Sequence, residues 1–336
     1  MKTIARKMMI ILIVICVIMP TVLFAGGKKE QSNLPLIYVV MQGSQSMFPR
    51  YQVAAMHQYM ETAHPAVSIR VVFADDDASN QLRQVETAVA EGAAAIVLNP
   101  VDKVQSGVAV DFAHAAGIPI ITLSQSTNSQ NETAFVGSDD IESGILQMQR
   151  LLEAAKEKGI EKPRFAYINA VLGHSAQVLR EQAYKQELAK HPEVQLVVQN
   201  TADWSGEKAL QLVENWIQIY KKGDDPGIDM IAAHADCILV GAITAVENAG
   251  LVGKVLLSGI DADMPVLEKI KAGVVDNTIW QDAVLQGETA LKVAIEAAMG
   301  KKVETILIPF QTVTRANVDE YIQKANFRNE LAAKYF

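Results

Sequence analysis

Cysteine is nearly absent from this chain: there are two in 336 residues, Cys16 and Cys237. Cys16 lies inside an N-terminal apolar run, so a chain that has lost that run keeps one thiol and forms no internal disulfide. A lone cysteine of this kind reads as a small buried hydrophobe rather than a nucleophile. Charge is also sparse, at 20% of residues, and the balance is acidic, with a formal net charge of −8. Nucleotide loops are missing: no G-x-G-x-x-G opens a helix and no G-x-x-x-x-G-K-[ST] occurs, which argues against bound dinucleotide or ATP. The six histidines show no paired ligand spacing, so nothing points to a metal. Gly173-His174-Ser175 matches half of a nucleophile elbow, but Gln177 stands where the second glycine belongs. Low-complexity tracts and short solenoid repeats are lacking too.

What is present begins with the N-terminus. Lys2, Arg6 and Lys7 precede an uninterrupted apolar run over 8–19, followed by Pro20 and the small residues Ala25, Gly26 and Gly27. That is the form of a secretory signal peptide over 1–27, and the apolar stretch is shorter than the 18 or more residues a spanning helix needs. Cys16 sits behind bulky Ile15, which argues against a lipoprotein signal. Cleavage leaves a polar leader over 28–33 and a periplasmic protein. Removing those three positive charges takes −8 to about −11, which disfavours nucleic acid and anionic membranes as partners.

Half of the residues are apolar, and the length exceeds what one hydrophobic core supports, so two lobes are expected. From Pro35 onward, short Val- and Ile-rich runs alternate with longer amphipathic segments, as in βαβ units around a parallel sheet. Strands are predicted over 36–41, 67–73, 94–98, 118–123 and 134–137, with helices over 50–63, 79–91 and 103–115 between them. A second series runs from a helix over 142–158 through strands over 164–169, 194–198, 230–233 and 255–260. The helices of that series lie over 176–190, 207–220, 238–249 and 264–271. No element is assigned beyond residue 281.

Several apolar strands end on polar side chains. Ile118 opens IPIITLSQ, which closes on Ser124 and Gln125; KVLLSGID closes on Asp261; NTIWQ closes on Gln281. In an open parallel sheet, ligands bind outside the carboxyl ends of strands, so these groups face a crevice. Trp204 lies in a polar connection and Arg180 on a helix that follows Gly173. Planar polar groups with aromatic faces, here Phe48 and Trp204, suit sugars, whose hydroxyls donate and accept while the C–H face packs on a ring. Plainer roles also fit each residue singly: Asp261 as a helix cap, Phe48 as core, Arg180 as a solvated helix charge, Trp204 as a surface plug.

Together the motifs YVVMQGSQSMF, IVLNPVD, IPIITL, SAQVLREQAY, HADCILVGA, LLSGID and NTIWQ resemble the periplasmic sugar-binding proteins of the ribose-binding type, from about residue 34 to 310. The resemblance implies an α/β fold of two doubly wound parallel-sheet lobes joined by a three-segment hinge, the type I periplasmic binding protein. It implies chain crossings near Gly137, Asp282 and Pro309. The N-terminal lobe is then 34–137 plus 283–309, and the C-terminal lobe 138–282 plus 310–336. By position in the family's motifs it offers Gln45, Met47 and Phe48 in the first turn and Ser124 and Gln125 after the fourth strand. Arg180 is implied as the ligand-clasping arginine, Trp204 as the stacking aromatic, Asp261 as the hydroxyl-binding acid and Gln281 as the hinge-side amide.

Ribose binders carry an Asp-Arg pair where Ser124 and Gln125 stand and an Asn where Ala235 stands, so one bidentate site is lost. His234 or Asp236 remain to compensate, with Asp236 equally suited to cap the next helix. The alternating acids and amides of the calcium-binding relatives are absent, so neither metal nor cofactor is expected. The implied function is a monomeric solute-binding protein that closes over a neutral monosaccharide or polyol and delivers it to an ABC permease. A chemoreceptor or membrane sensor kinase is an alternative partner. A third reading makes Asp261 and Asp236 the carboxylate pair of an exported carbohydrate-acting enzyme.

Overall fold

The structure is a computed structural model that describes residues 34–336. The signal peptide, Cys16 and the leader over 28–33 lie outside the described residues. Residues 35–336 form one compact unit built on two six-stranded sheets.

The first sheet has the order β11-β5-β4-β3-β1-β2 and is parallel throughout. Its strands are β1 (Leu36–Met41), β2 (Ser68–Phe73), β3 (Ala95–Leu98), β4 (Ile120–Ser124), β5 (Ala134–Gly137) and β11 (Ile306–Leu307). Between them run α1 (Met47–Ala63), α2 (Ala78–Ala90) and α3 (Gln105–Ala115). The helices cover both faces, so the five residues of β1 after Leu36 are all buried: Ile37, Val39 and Met41 go to one core, Tyr38 and Val40 to the other. That two-sided burial explains why the strands read as continuous apolar runs rather than alternating ones.

The second sheet has the order β12-β10-β9-β8-β6-β7. It comprises β6 (Arg164–Asn169), β7 (Gln195–Thr201), β8 (Met230–Ala233), β9 (Leu256–Ile260), β10 (Asn277–Trp280) and an antiparallel edge strand β12 (Gln311–Thr314). Its helices are α4 (Asp140–Glu157), α5 (Ser175–Lys190), α6 (Gly206–Tyr220), α7 (Asp236–Asn248) and α8 (Met264–Lys271). The α6 and α7 backbones approach so closely that a Cβ on Gly241 would lie 1.9 Å from the Gly206 carbonyl oxygen, which is why both crossing positions are glycine.

The chain passes between sheets three times: after β5, after β10 into α9 (Ala283–Ala298), and between β11 and β12. The last helix, α10 (Val318–Tyr335), rests on α1 and α8 together. The small core of Tyr51, Ala54, Ala55, Ala283, Leu331 and Ala332 seals α1, α9 and α10 to one another. Strand order reverses beside β1 in the first sheet and beside β6 in the second, which sets the carboxyl ends of both sheets as crevice positions. One expectation is corrected: Cys237 is exposed, because it occupies the outward side of the first turn of α7 while its neighbours Asp236 and Ile238 take the inward side.

Candidate functional site

The polar groups at the carboxyl ends of the second sheet converge on Arg180. This side chain is 3% exposed and comes from the inner face of α5. Its Nε donates to Asp140 Oδ1 at 2.9 Å and its Nη2 lies 2.8 Å from the same oxygen. Nη1 donates to the His234 carbonyl, and Nη2 also reaches Gln281 Oε1 at 3.4 Å. Burial works against the Arg180 charge, but Asp140 and Asp261 beside it outweigh that and raise its pKa. Asp140 opens α4, whose N-cap is the neighbouring Asp139. The guanidinium is thus fixed in a planar fork rather than solvated.

Asp261 follows β9 on a backbone that few L-residues adopt, with φ 106° there and φ 52° at Ala262. No group among the described residues donates to its carboxylate, which leaves four lone-pair sites free beside Arg180. Burial lifts this carboxyl to about 7 against the lowering pull of Arg180 and Arg328. Asp263 and Asp236 are also raised, chiefly by burial.

Asp236 is wholly buried and its carboxylate is spent inside the protein. It accepts from Thr278 Oγ1 at 2.9 Å and from the Asp263 N–H at 2.8 Å. His234 is also wholly buried: its Nδ1 accepts from the Ala170 N–H at 3.3 Å and its ring stacks on Tyr167. Both are thus engaged with internal partners, Asp236 through both carboxylate oxygens and His234 through Nδ1. Ala235 itself is 2% exposed, at the N-cap of α7. The same geometry removes Asp236 as the second acid of a carboxylate pair.

Two more groups line the second lobe's edge. Trp204, with φ 61°, packs on the core of the second sheet and presents its ring edge-on to His174, with centroids 5.1 Å apart. His174 caps α5 with Nδ1 accepting from the Ala176 N–H at 3.3 Å. Burial, with Arg180 nearby, holds its pKa down at about 4.

The first lobe contributes Gln125, whose amide lies 2.7 Å from His174 Nε2 and 3.1 Å from Gln42 Oε1. This contact bridges the two lobes directly. Ser124, also in a positive-φ conformation, points the other way. Its Oγ accepts from Gln52 Nε2 and donates to Gln286 Oε1 at 2.9 Å, in a buried network that extends to Ser138. Gln45 is exposed in the turn before α1 and Met47 is exposed at its first position, and Phe48 packs half-buried on the core of Tyr51, Ala283 and Leu331. The structure therefore groups Arg180, Asp261 and Gln281 with Trp204 and Gln125 nearby, while Gln45 and Met47 are exposed and Phe48 packs on the small core that contains Tyr51. Between the lobes lies a cavity of about 180 Å³ walled by Ser124, Gln125, Ser138, Asp140, Ser175 and Leu179 among others. Asp261 and Trp204 lie outside its walls.

Asp140, His174 and Arg328 are participants that the sequence reading missed. A signal existed for Arg328: Tyr321, Ala325, Leu331 and Ala332 place it on the apolar stripe of α10, where an arginine needs a buried partner.

Residues 37–302 match the family model described as a periplasmic binding protein domain. Among curated relatives, the xylitol-binding protein of Mycolicibacterium smegmatis is 29% identical over 267 residues, covering 79% of this chain and 74% of that protein. The ribose import binding protein of Bacillus subtilis is 29% identical over 256 residues, covering 76% and 80%. A solved ABC transporter solute binding protein from Bacillus halodurans C-125, with bound myo-inositol, superposes with a TM-score of 0.79 at 34% identity, covering 88% of this chain and 99% of that one.

Proposed function

The chain belongs to the periplasmic binding protein family, and from that premise we propose that it captures a neutral monosaccharide or polyol between its lobes and hands it to an ABC permease. The observation that carries this reading is the charge arrangement at Asp261. Four carboxyl groups, Asp140, Asp236, Asp261 and Asp263, surround two guanidiniums, Arg180 and Arg328. Burial raises the pKa of Asp236, Asp261 and Asp263. Arg180 and Arg328 offset part of the charge of these acids, and the Asp261 carboxylate is left without a donor among the described residues. Hydroxyls suit it, because they donate to the free Asp261 carboxylate and accept from the Gln125 and Gln281 amides. The relatives that bind xylitol, ribose and myo-inositol support the same class.

Closure is the working step. A ligand held by both lobes binds the closed arrangement better than the open one, and that differential affinity moves the hinge. The lobes are taken as 34–137 with 283–309 and 138–282 with 310–336. The protein works as a monomer in the periplasm after loss of its first 27 or so residues.

Thermal unfolding of the mature chain with myo-inositol, xylitol, D-ribose and D-allose tests the reading. A ligand at 100 times its Kd stabilises the folded state by about 2.7 kcal/mol, a clear upward shift in Tm. A shift with amino acids or nucleosides and none with these four sugars and polyols would sink it.

A further inference from the structure

We propose that Arg328, on the C-terminal helix α10, is a positioning residue for ligand capture: it holds the Asp261–Ala262 turn in its left-handed form and ties that turn to the opposite lobe. This deepens the binding reading above and rests on it for its consequence, though not for its geometry.

Two consecutive L-residues at φ 106° and φ 52° are strained, and each such conformation stands about 1–3 kcal/mol above the usual backbone wells. Something must hold them there. The Arg328 guanidinium donates from Nη1 to the Asp261 carbonyl at 2.9 Å and from Nη2 to the Ala262 carbonyl at 2.9 Å. Nη2 also reaches Asp263 Oδ1 at 3.1 Å. The fork thus grips the carbonyls of the two strained residues themselves and one side chain of the same turn. At 1% exposure the arginine is not a surface charge that happens to lie nearby.

Its surroundings come from both lobes. The guanidinium stacks 4.6 Å from the Tyr51 ring of α1 and 4.8 Å from the Trp280 ring of β10. Helix α10 is in turn fastened to α1: Tyr51 donates to Asn329 Oδ1 at 2.6 Å, Lys334 pairs with Glu61, and Tyr335 stacks on His57 at 5.2 Å. An anchor on the first lobe therefore fixes the backbone that carries the second lobe's acid. Displacing α1 from α10 pulls on the residue that holds Asp261 in place.

The charges facing Asp261 are Arg180 from α5, Arg328 from α10, Asp140 from α4, Asp263 in its own turn and Asp236 from α7. Removing Arg328 takes away one of the two cations that favour the Asp261 carboxylate, while a lysine keeps the charge and loses the planar fork.

The experiment is the pair Arg328→Met and Arg328→Lys in the full mature chain. The ligand-free readouts are the backbone chemical shifts of residues 261 and 262 and the Asp261 carboxyl titration by NMR. The third readout is calorimetry with myo-inositol, xylitol, D-ribose and D-allose. The expected result is loss of the left-handed shifts in both variants, an Asp261 midpoint moved up in Arg328→Met and near wild type in Arg328→Lys, and affinity for whichever probe binds reduced about tenfold or more in both. Should Arg328→Met fail to fold, Arg328→Lys decides alone. Unchanged shifts at 261 and 262, or affinities within twofold of wild type, overturn the proposal. Should no probe bind the wild type, the polyol reading fails, and the shifts and titration still decide the role of Arg328.

Discussion

Replacing Asp261 by Asn should make the ligand-free protein more stable while it weakens ligand binding. Burial raises this carboxyl from 3.8 to about 7, so folding carries a penalty wherever the group is charged in the unfolded chain and hard to charge in the native one. For a raised folded-state pKa, the stability contribution is present below the unfolded value and is lost as pH rises from about 4 through about 7. Integrating between those values gives a penalty of about 4 kcal/mol at pH 8 that shrinks to under about 1 kcal/mol at pH 4. Asparagine has the shape of the neutral acid and is at ease at positive φ, so it escapes that penalty with little backbone cost. Guanidinium chloride unfolding of both proteins at pH 8 and pH 4 reads the difference directly. The Asp261→Asn variant should lead at pH 8 by one to several kcal/mol, on the order of the figure above, and the lead should close at pH 4. Meanwhile, loss of a charge-assisted contact to a ligand hydroxyl, about 1.5–3 kcal/mol, should reduce affinity roughly tenfold to a hundredfold. A variant less stable than wild type at pH 8, or a lead that does not depend on pH, would refute the account of this acid.

Asp140→Asn should act in the opposite sense, because it removes the ion-paired acid and leaves the buried Arg180 with carbonyl and amide hydrogen bonds and Asp261 alone as a neighbouring acid; the loss expected is about 3–5 kcal/mol in urea unfolding, and a loss under about 1 kcal/mol would show that the pair is not what holds Arg180. His174 should stay neutral from pH 8 down to about 5.5 and titrate near 4, readable from its imidazole NMR shifts; a midpoint near 6.5 would mean that the ring is solvated and does not span to Gln125.

The sequence carried much of this arrangement, and what it could not carry has a physical pattern. Strand ends are legible because a parallel strand buried on both faces is a run of apolar residues, and its termination on a polar side chain marks the crevice edge. Asp261, Gln281 and Gln125 stand at such strand ends. Partner identity is not legible by that route. Ser124 ends its strand as expected, yet it turns inward to Gln52 and Gln286, which lie 72 and 162 residues away and leave no local trace. Asp140 is likewise 40 residues from Arg180, and its position in the first turn of α4 reads as an ordinary helix start. Phe48 looked like a stacking ring because an aromatic after a polar turn fits one. The structure instead uses it to seal α1 against α9 and α10, elements that lie beyond the last segment the sequence reading assigned. Asp236 was ambiguous between cap and ligand until Thr278, on the strand two along from β8, was seen to occupy its carboxylate.

Unfavourable terms are concentrated at one turn. Between residues 261 and 263 the chain holds two positive-φ conformations and two acids pushed toward neutrality, with a third, Asp236, hydrogen-bonded to the same backbone. Arg328 and Thr278 offset part of this through hydrogen bonds to the Asp261 and Ala262 carbonyls and to Asp236. The Asp261 carboxylate has no such relief among the described residues. On the proposed reading, a ligand hydroxyl donating to Asp261 would relieve the term that the fold leaves standing. Removing the acid therefore trades one quantity for the other, and the opposed signs expected for Asp261→Asn follow from the same desolvated carboxylate.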